Sequence, residues 1–261
     1  TRVVVGVDGS SGSAAAVRWA AIEARLRQTE LRVLTAFQRK LPARHAASSA
    51  QTQPSASAEA AAIIHDAVAQ ARSAAPGVDV RGVALPGYAV PVLLHAEEDA
   101  ALLVVGSHRG GGMPGLPHGS VCSQVATHAR GSVVVVRGGS AVDGGPVVVG
   151  VGDDPAAGTV IDRAFEEASL RSAPVVAVTA ASNGGRPADD DLAPWRERFP
   201  AVVAEREVIH GKPDKVLVQR CREAQLVVVG PRRHGFEGVM LGPVGTRLLQ
   251  RAECPVLVAR S

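Results

Sequence analysis

The stretch Val3–Ala20, VVVGVDGSSGSAAAVRWA, returns later in the chain as Val147–Ala164, VVVGVGDDPAAGTVIDRA, with Gly6 facing Gly150 at an offset of 144. Each copy opens on a short run of valines, passes through a turn of small and acidic residues, and continues into a segment whose apolar residues fall at helical spacing. This is a strand, a turn and a helix, written twice. Downstream, Gly87–Gly106 (GYAVPVLLHAEEDAALLVVG) matches Gly211–Gly230 (GKPDKVLVQRCREAQLVVVG) at an offset of 124, so the second copy lacks 20 residues between the two matches. Near the ends, Gly119–Arg137 (GSVCSQVATHARGSVVVVR) matches Gly242–Arg260 (GPVGTRLLQRAECPVLVAR) at an offset of 123. The chain therefore reads as two homologous domains, 1–139 and 145–261, meeting near Gly138 to Pro146.

Within the first repeat, Val3–Val7, Leu31–Ala36, Leu102–Val105 and Val133–Val136 are short runs of Val and Leu, as buried parallel strands require. Helical patterns lie between them at Ser13–Leu26, Ser57–Arg72, Pro91–Asp99 and Ser120–Arg130, the last with Val121, Val125 and Ala129 on one face. Such alternation predicts an α/β fold: two repeated, doubly wound parallel-sheet domains of Rossmann-like type. The stretch Arg39–Ser57 shows no period and reads as a connection, and Ser182–Asp191, with three consecutive Asp, as a solvated loop.

Composition narrows the function classes. The 261 residues are 46% hydrophobic with a formal charge of +3, an ordinary globular balance. Seven aromatic residues offer little for stacking bases, and the charge is too small to imply nucleic acid. No apolar run approaches the ~18 residues of a membrane helix, and Val3–Val7 meets Asp8 before it could form a signal-peptide core, so the expectation is a cytoplasmic protein with no membrane partner. Cys122, Cys221 and Cys254 lack metal or redox spacing and read as buried thiols. Trp19 and Trp195 sit in helical segments and read as packing residues.

Ligands of a doubly wound sheet bind beyond the carboxyl ends of its strands, which draws attention to the residues after Val7, Ala36 and Val105. After the third comes GSHRGGGMPGLPHGS, residues 106–120, leading directly into a helix. Glycines let backbone N–H groups approach a ligand, and a helix start offers unpaired donors and a positive dipole end, so the segment is suited to phosphate. The bland alternative is a glycine-rich surface loop. Ser10 or Ser11 reads as the cap of the first helix. His108, His118 and His128 recur at ten-residue spacing without forming a convincing metal set, and Arg232, Arg233 and His234 read as a solvated loop.

Together these residues resemble the universal stress proteins, here as a tandem of two such domains over nearly the whole chain. The family's ATP-binding members carry G-x2-G-x9-G-[ST] after the fourth strand and a first strand ending in Val-Asp-Gly-Ser. Gly106, Gly119, Ser120, Asp8, Gly9 and Ser10 fall at those places, and VVVVR and CPVLVAR look like the family's last strand. The resemblance implies five parallel strands per domain and pairing of the two last strands within the chain. It further implies Asp8 and the backbone beyond Ala36 near the nucleoside or a cation, and the glycine loop, Ser120 and Val121 on the phosphates of ATP, with Mg2+ carried by those phosphates.

The chain also departs from the pattern. The family's second glycine falls on Arg109, with Gly110 one place late: Arg109 either adds a phosphate contact or closes the cradle by its bulk. His108 would face the same anion. In the second repeat Asp8 is matched by Gly152 and Ser120 by Pro243, which has neither hydroxyl nor N–H, so that half reads as degenerate. A phosphate-loop ATPase motif and Gly-x-Ser-x-Gly are both absent, and Gly150-x-Gly152 lacks its third glycine. The expectation is an ATP-binding regulatory or stress-response protein with an unknown protein partner, able to dimerise, with slow ATP hydrolysis as the most that enzymology would find. The alternative is a nucleotide-independent scaffold of the same fold.

Overall fold

The computed structural model describes residues 2–38, 55–107, 121–137, 144–152, 157–181, 192–233 and 239–260. Its first half runs β1 (Arg2–Gly6), α1 (Ser11–Leu26), β2 (Leu31–Phe37), α2 (Ala56–Ala74), β3 (Val80–Pro86), α3 (Ala89–Glu97), β4 (Ala100–Ser107), α4 (Val121–His128) and β5 (Val133–Arg137). The second runs β6 (Val147–Gly150), α5 (Ala157–Arg171), β7 (Val175–Ala181), α6 (Ala193–Arg198), β8 (Ala204–His210), α7 (Pro213–Arg220) and β9 (Leu226–Val229). A short hairpin of β10 (Arg232–Arg233) and β11 (Val239–Met240) follows, then α8 (Pro243–Arg251) and β12 (Val256–Val258). Arg232 and Arg233, expected in a loop, are thus paired with Met240 and Val239, because the chain folds back on itself there.

Ten strands form one sheet in the order β3-β2-β1-β4-β5-β12-β9-β6-β7-β8. Each half contributes five strands paired in parallel, and the halves meet where β12 runs antiparallel to β5, Val256 opposite Val135 and Val258 opposite Val133. The α/β prediction and the joining of the last strands are both met. Alternation along the strands divides the core in two: Val3, Val5, Leu102, Val104, Val147 and Val149 face α1, α2, α5 and α6, while Val4, Leu103, Val105 and Val148 face α3, α4, α7 and α8. All of these side chains are buried, so the valine runs stay in place by losing both faces to helices.

The repeat persists in backbone detail. Gln28 and Ser172, 144 apart, are the two non-glycine residues with positive φ, at 51° and 50°, among those described. Each closes its helix: Thr29 N–H reaches Ala24 O at 3.0 Å, and Ala173 N–H reaches Ala168 O at 2.9 Å. The helices α1 and α5 are joined by charge. Arg27 and Arg171 lie between Glu23 and Glu167, and each arginine donates to both carboxylates. Both glutamates have no exposure, and Arg171 also stacks 5.5 Å over the Trp19 ring.

β3 is the fifth strand that the resemblance implies for this half; the apolar pattern does not mark it, because Arg81, Gly82 and Pro86 in an edge strand break the run. Two sequence readings are corrected. α3 begins at Ala89 rather than Pro91, which sits in the first turn where a missing N–H costs nothing. Along α4 and just after it, Val125 and Ala129 are buried as expected, with Cys122 and Ala126 beside them, whereas Val121 is 41% exposed. The second copy is shortened mainly at α6, which has six residues where α2 spans 19, a difference of 13 of the 20 residues lost. Cys122, Cys221 and Cys254 are buried thiols, as expected. No described helix is long and apolar enough to cross a membrane.

Candidate functional site

β1 is flanked by β2 on one side and β4 on the other, so the chain leaves β1 in one direction and returns to it from the opposite one. This reversal opens a crevice at the carboxyl ends of β1 and β4, where doubly wound sheets take ligands. Asp8, Gly9 and Ser10 stand on one side of it, Gly106 and Ser107 on the other, since Gly6 pairs with Val105. Thr35, fully within β2, donates its hydroxyl to Val7 O at 2.8 Å and ties the end of β1 to its neighbour. Ala36 lies one residue before the end of β2, level with Leu85 of β3.

The β1–α1 turn is built from local chemistry. Gly9 has φ +78°, a region in which a side chain is strained, and it turns the chain toward α1. Ser10 is then extended and caps the helix, its Oγ accepting from Ser13 N–H at 3.2 Å. The same residue holds Asp8: its backbone N–H and its hydroxyl both donate to Asp8 Oδ1, at 3.0 and 2.5 Å. An oriented, solvent-facing carboxylate thus stands at a helix start beside the crevice. It is a hard oxygen donor, the type that suits a divalent cation or a sugar hydroxyl.

Gly106 has a packing reason of its own. A Cβ there would lie 2.3 Å from Gly12 O and 2.7 Å from Ser13 N, so the bare backbone lets the first turn of α1 sit directly on β4. The two walls of the crevice are therefore in contact at their base. Val121, which opens α4, is exposed. His108, Arg109, Gly110, Gly119 and Ser120 lie outside the described residues, as do the three Asp of 189–191 and His234.

The corresponding end of the second half keeps a close-packed glycine, Gly230, where a Cβ would meet Val160 of α5 at 2.8 Å, but differs in the groups around it. Gly152 stands where Asp8 does and meets open space, α5 begins at Ala157, and α8 starts on Gly242 and Pro243 without a side-chain cap. Behind the crevices the halves are alike again: a Cβ on Gly6 would meet Leu93 at 2.8 Å, and one on Gly150 would meet Leu217 at the same distance. Among the described residues, no group of three or more His, Cys, Asp or Glu side chains is arranged to hold a metal ion.

Residues that sequence reasoning passed over lie at the far ends of the helices. Glu97, at the end of α3, is 6% exposed and accepts from the backbone N–H groups of Arg130 and Gly131 just beyond α4. Arg260 reaches across the central strand pair to Ala126 O in α4, at 2.6 Å, and Arg137 reaches the opposite way to Leu249 O in α8, at 2.5 Å. The signal available was the repeat itself, since Arg137 and Arg260, and Ala126 and Leu249, occupy matching positions.

The model of the universal stress protein family matches residues 1–137 and 185–260. The universal stress protein Rv2623 of Mycobacterium tuberculosis is 35% identical over an alignment covering 99% of this chain and 96% of that protein. Universal stress protein Rv1996 of the same organism is 32% identical, covering 99% and 94%. In fold, a universal stress protein from Archaeoglobus fulgidus superimposes with a TM-score of 0.75 at 17% identity, over 99% of this chain and 98% of that one. A doubly wound repeat written twice, relatives matched from end to end and a family model matching segments of both halves lead to one conclusion: the chain belongs to the universal stress protein family, as a tandem member.

Proposed function

We propose that the chain is an ATP-binding regulatory protein whose nucleotide is held by the first half, in the crevice between β1 and β4. The observation that carries this reading is Asp8, fixed by two hydrogen bonds from Ser10 at the start of α1, in the half whose sequence keeps Gly106, Gly119 and Ser120. Asp8 and Gly9 lie toward the nucleoside or cation, with the backbone beyond Ala36 on the base side. Gly110, Gly119, Ser120 and the start of α4 at Val121 take the phosphates, with His108 and Arg109 beside them, and Mg2+ enters on the phosphates. Gly152 and Pro243 leave the second half without the corresponding groups. The reading asks for binding and not for turnover, so at most slow hydrolysis is expected.

Calorimetry with Mg-ATP on the full chain, after checking denatured protein for nucleotide already bound, tests this. One ATP per chain, lost in Gly119→Val, supports the reading, and two per chain assign a site to the second half and overturn its degenerate role. Binding that emerges only in Arg109→Gly shows that Arg109 closes the cradle, and the fold then serves as a scaffold.

A further inference from the structure

The crevice of the first half is flanked by α4, an eight-residue helix whose first residue, Val121, follows Ser120. Two turns of helix have little stability of their own, so where α4 points depends on what holds its two ends. The end away from the crevice is held twice. Glu97 of the same half binds the N–H groups of Arg130 and Gly131, and Arg260 of the other half donates to Ala126 O and Thr127 O, at 2.6 and 3.3 Å. Arg260 is 7% exposed, and its own backbone is locked: its N–H donates to Ser132 Oγ at 3.0 Å, and that hydroxyl donates to Arg260 O at 3.2 Å. A guanidinium on the last carbonyls of a helix satisfies acceptors that the helix cannot and opposes the negative end of its dipole.

The second half lacks half of this arrangement. Arg137 does reach Leu249 O in α8, but the position matching Glu97 is Cys221, and the one matching Gly131 is Cys254. A carboxylate on two backbone N–H groups is replaced there by two thiols that hydrogen-bond to each other. The helix held at its back by both a glutamate and an arginine is thus the one beside the crevice that keeps Asp8.

We propose that Arg260 is a positioning residue for the nucleotide site of the first half, and that the second half contributes to ATP binding by fixing α4 through it. This inference rests on the function proposed above. Arg137, which makes the matching contact to α8, stands level with Ser107 at the crevice itself, so the stability control is Phe199→Ala, whose ring packs on Phe165 in the second half, on the opposite face of the sheet from α4.

The experiment uses the full chain, with Mg-ATP and adenosine as separate probes in calorimetry and thermal unfolding measured alongside. Arg260→Ala is expected to weaken Mg-ATP by about tenfold, within the usual range of coupling between distant groups. It leaves adenosine affinity unchanged, since only the phosphate end depends on α4. Phe199→Ala is expected to lower the unfolding midpoint to a similar extent but to change Mg-ATP affinity by less than about twofold, as for a distant independent site. Arg260→Lys, which keeps a cation near the carbonyls, recovers part of the affinity and serves as the second variant if the alanine chain does not fold. Equal effects of Arg260→Ala and Phe199→Ala on Mg-ATP affinity, an equal loss of adenosine binding, or no loss at all overturns the role of Arg260 while leaving ATP binding intact. A wild-type chain that binds neither probe overturns the underlying function instead.

Discussion

Glu23 and Glu167 lie fully buried at matching positions of the two repeats, and each carboxylate is shared by the same two arginines, Arg27 and Arg171. Each glutamate bonds the arginine four residues on in its own helix and the one in the other half, so the cluster closes on itself across α1 and α5. Four charges withdrawn from water are tolerable only while every one keeps its partners. The cluster therefore adds a charged contact between α1 and α5 to the register that the β12–β5 ladder gives the two halves.

Removing one member exposes that dependence. Glu23→Ala leaves two arginines sharing one buried carboxylate, and a loss of about 3–5 kcal/mol in urea unfolding is expected for such a broken buried pair. A variant as stable as the wild type would show that water reaches the cluster.

The pH dependence follows from Glu167, whose carboxyl is pushed up to about 7, first by burial and next by the charge of Glu23, against the pull of the two arginines. In the unfolded chain the group titrates near 4.5, so between about 4.5 and 7 the folded state binds the extra proton. This group's contribution to stability therefore falls as pH rises through that window and is flat above it. Urea midpoints of the wild type and Glu167→Gln, compared from about pH 4.5 to 8, should differ in slope only inside the window.

Ser10 joins stability to function at one residue. Ser10→Ala removes the cap of α1, at a cost of about 1 kcal/mol, and takes the hydroxyl bond from Asp8 while leaving the backbone one. Mg-ATP affinity should fall together with the midpoint, and Ser10→Thr, which keeps the hydroxyl, should recover both.

Gly106→Ala tests the contact at the base of the crevice. The added methyl meets backbone atoms of Gly12 and Ser13 rather than a movable side chain, and about 2–3 kcal/mol of overpacking is expected. Because α1 carries Asp8 at its start, nucleotide binding should weaken more than in a control such as Gly152→Ala, where the glycine meets open space.

The cysteines should be silent. The mutual hydrogen bond with Cys221 and burial push the Cys254 thiol well above its ordinary range, leaving almost no thiolate to react. A colorimetric disulfide reagent should titrate all the thiols in denaturant and none, on the timescale of minutes, in the folded chain; fast native reaction at Cys221 or Cys254 contradicts this environment.

The sequence alone determined what depends on neighbours in the chain. Valine runs such as Val3–Val5 and Val133–Val136 announce strands because both of their faces must leave water, and Asp8-Gly9-Ser10 announces a turn and a cap because those hydrogen bonds span only a few residues. The repeat made the two halves legible as copies. The apolar pattern leaves β3 unmarked because an edge strand tolerates Arg81, and because a Cβ on Gly82 would lie 2.3 Å from the Ile64 side chain. The tertiary structure decided every relationship that closes only when distant segments meet: β12 beside β5, Glu23 across from Glu167, and Arg260 on the end of α4. Glutamate and arginine four residues apart look like an ordinary solvated pair on one helix. Only the joining of the halves removes water from around them, and burial turns a surface pattern into the lock between two domains.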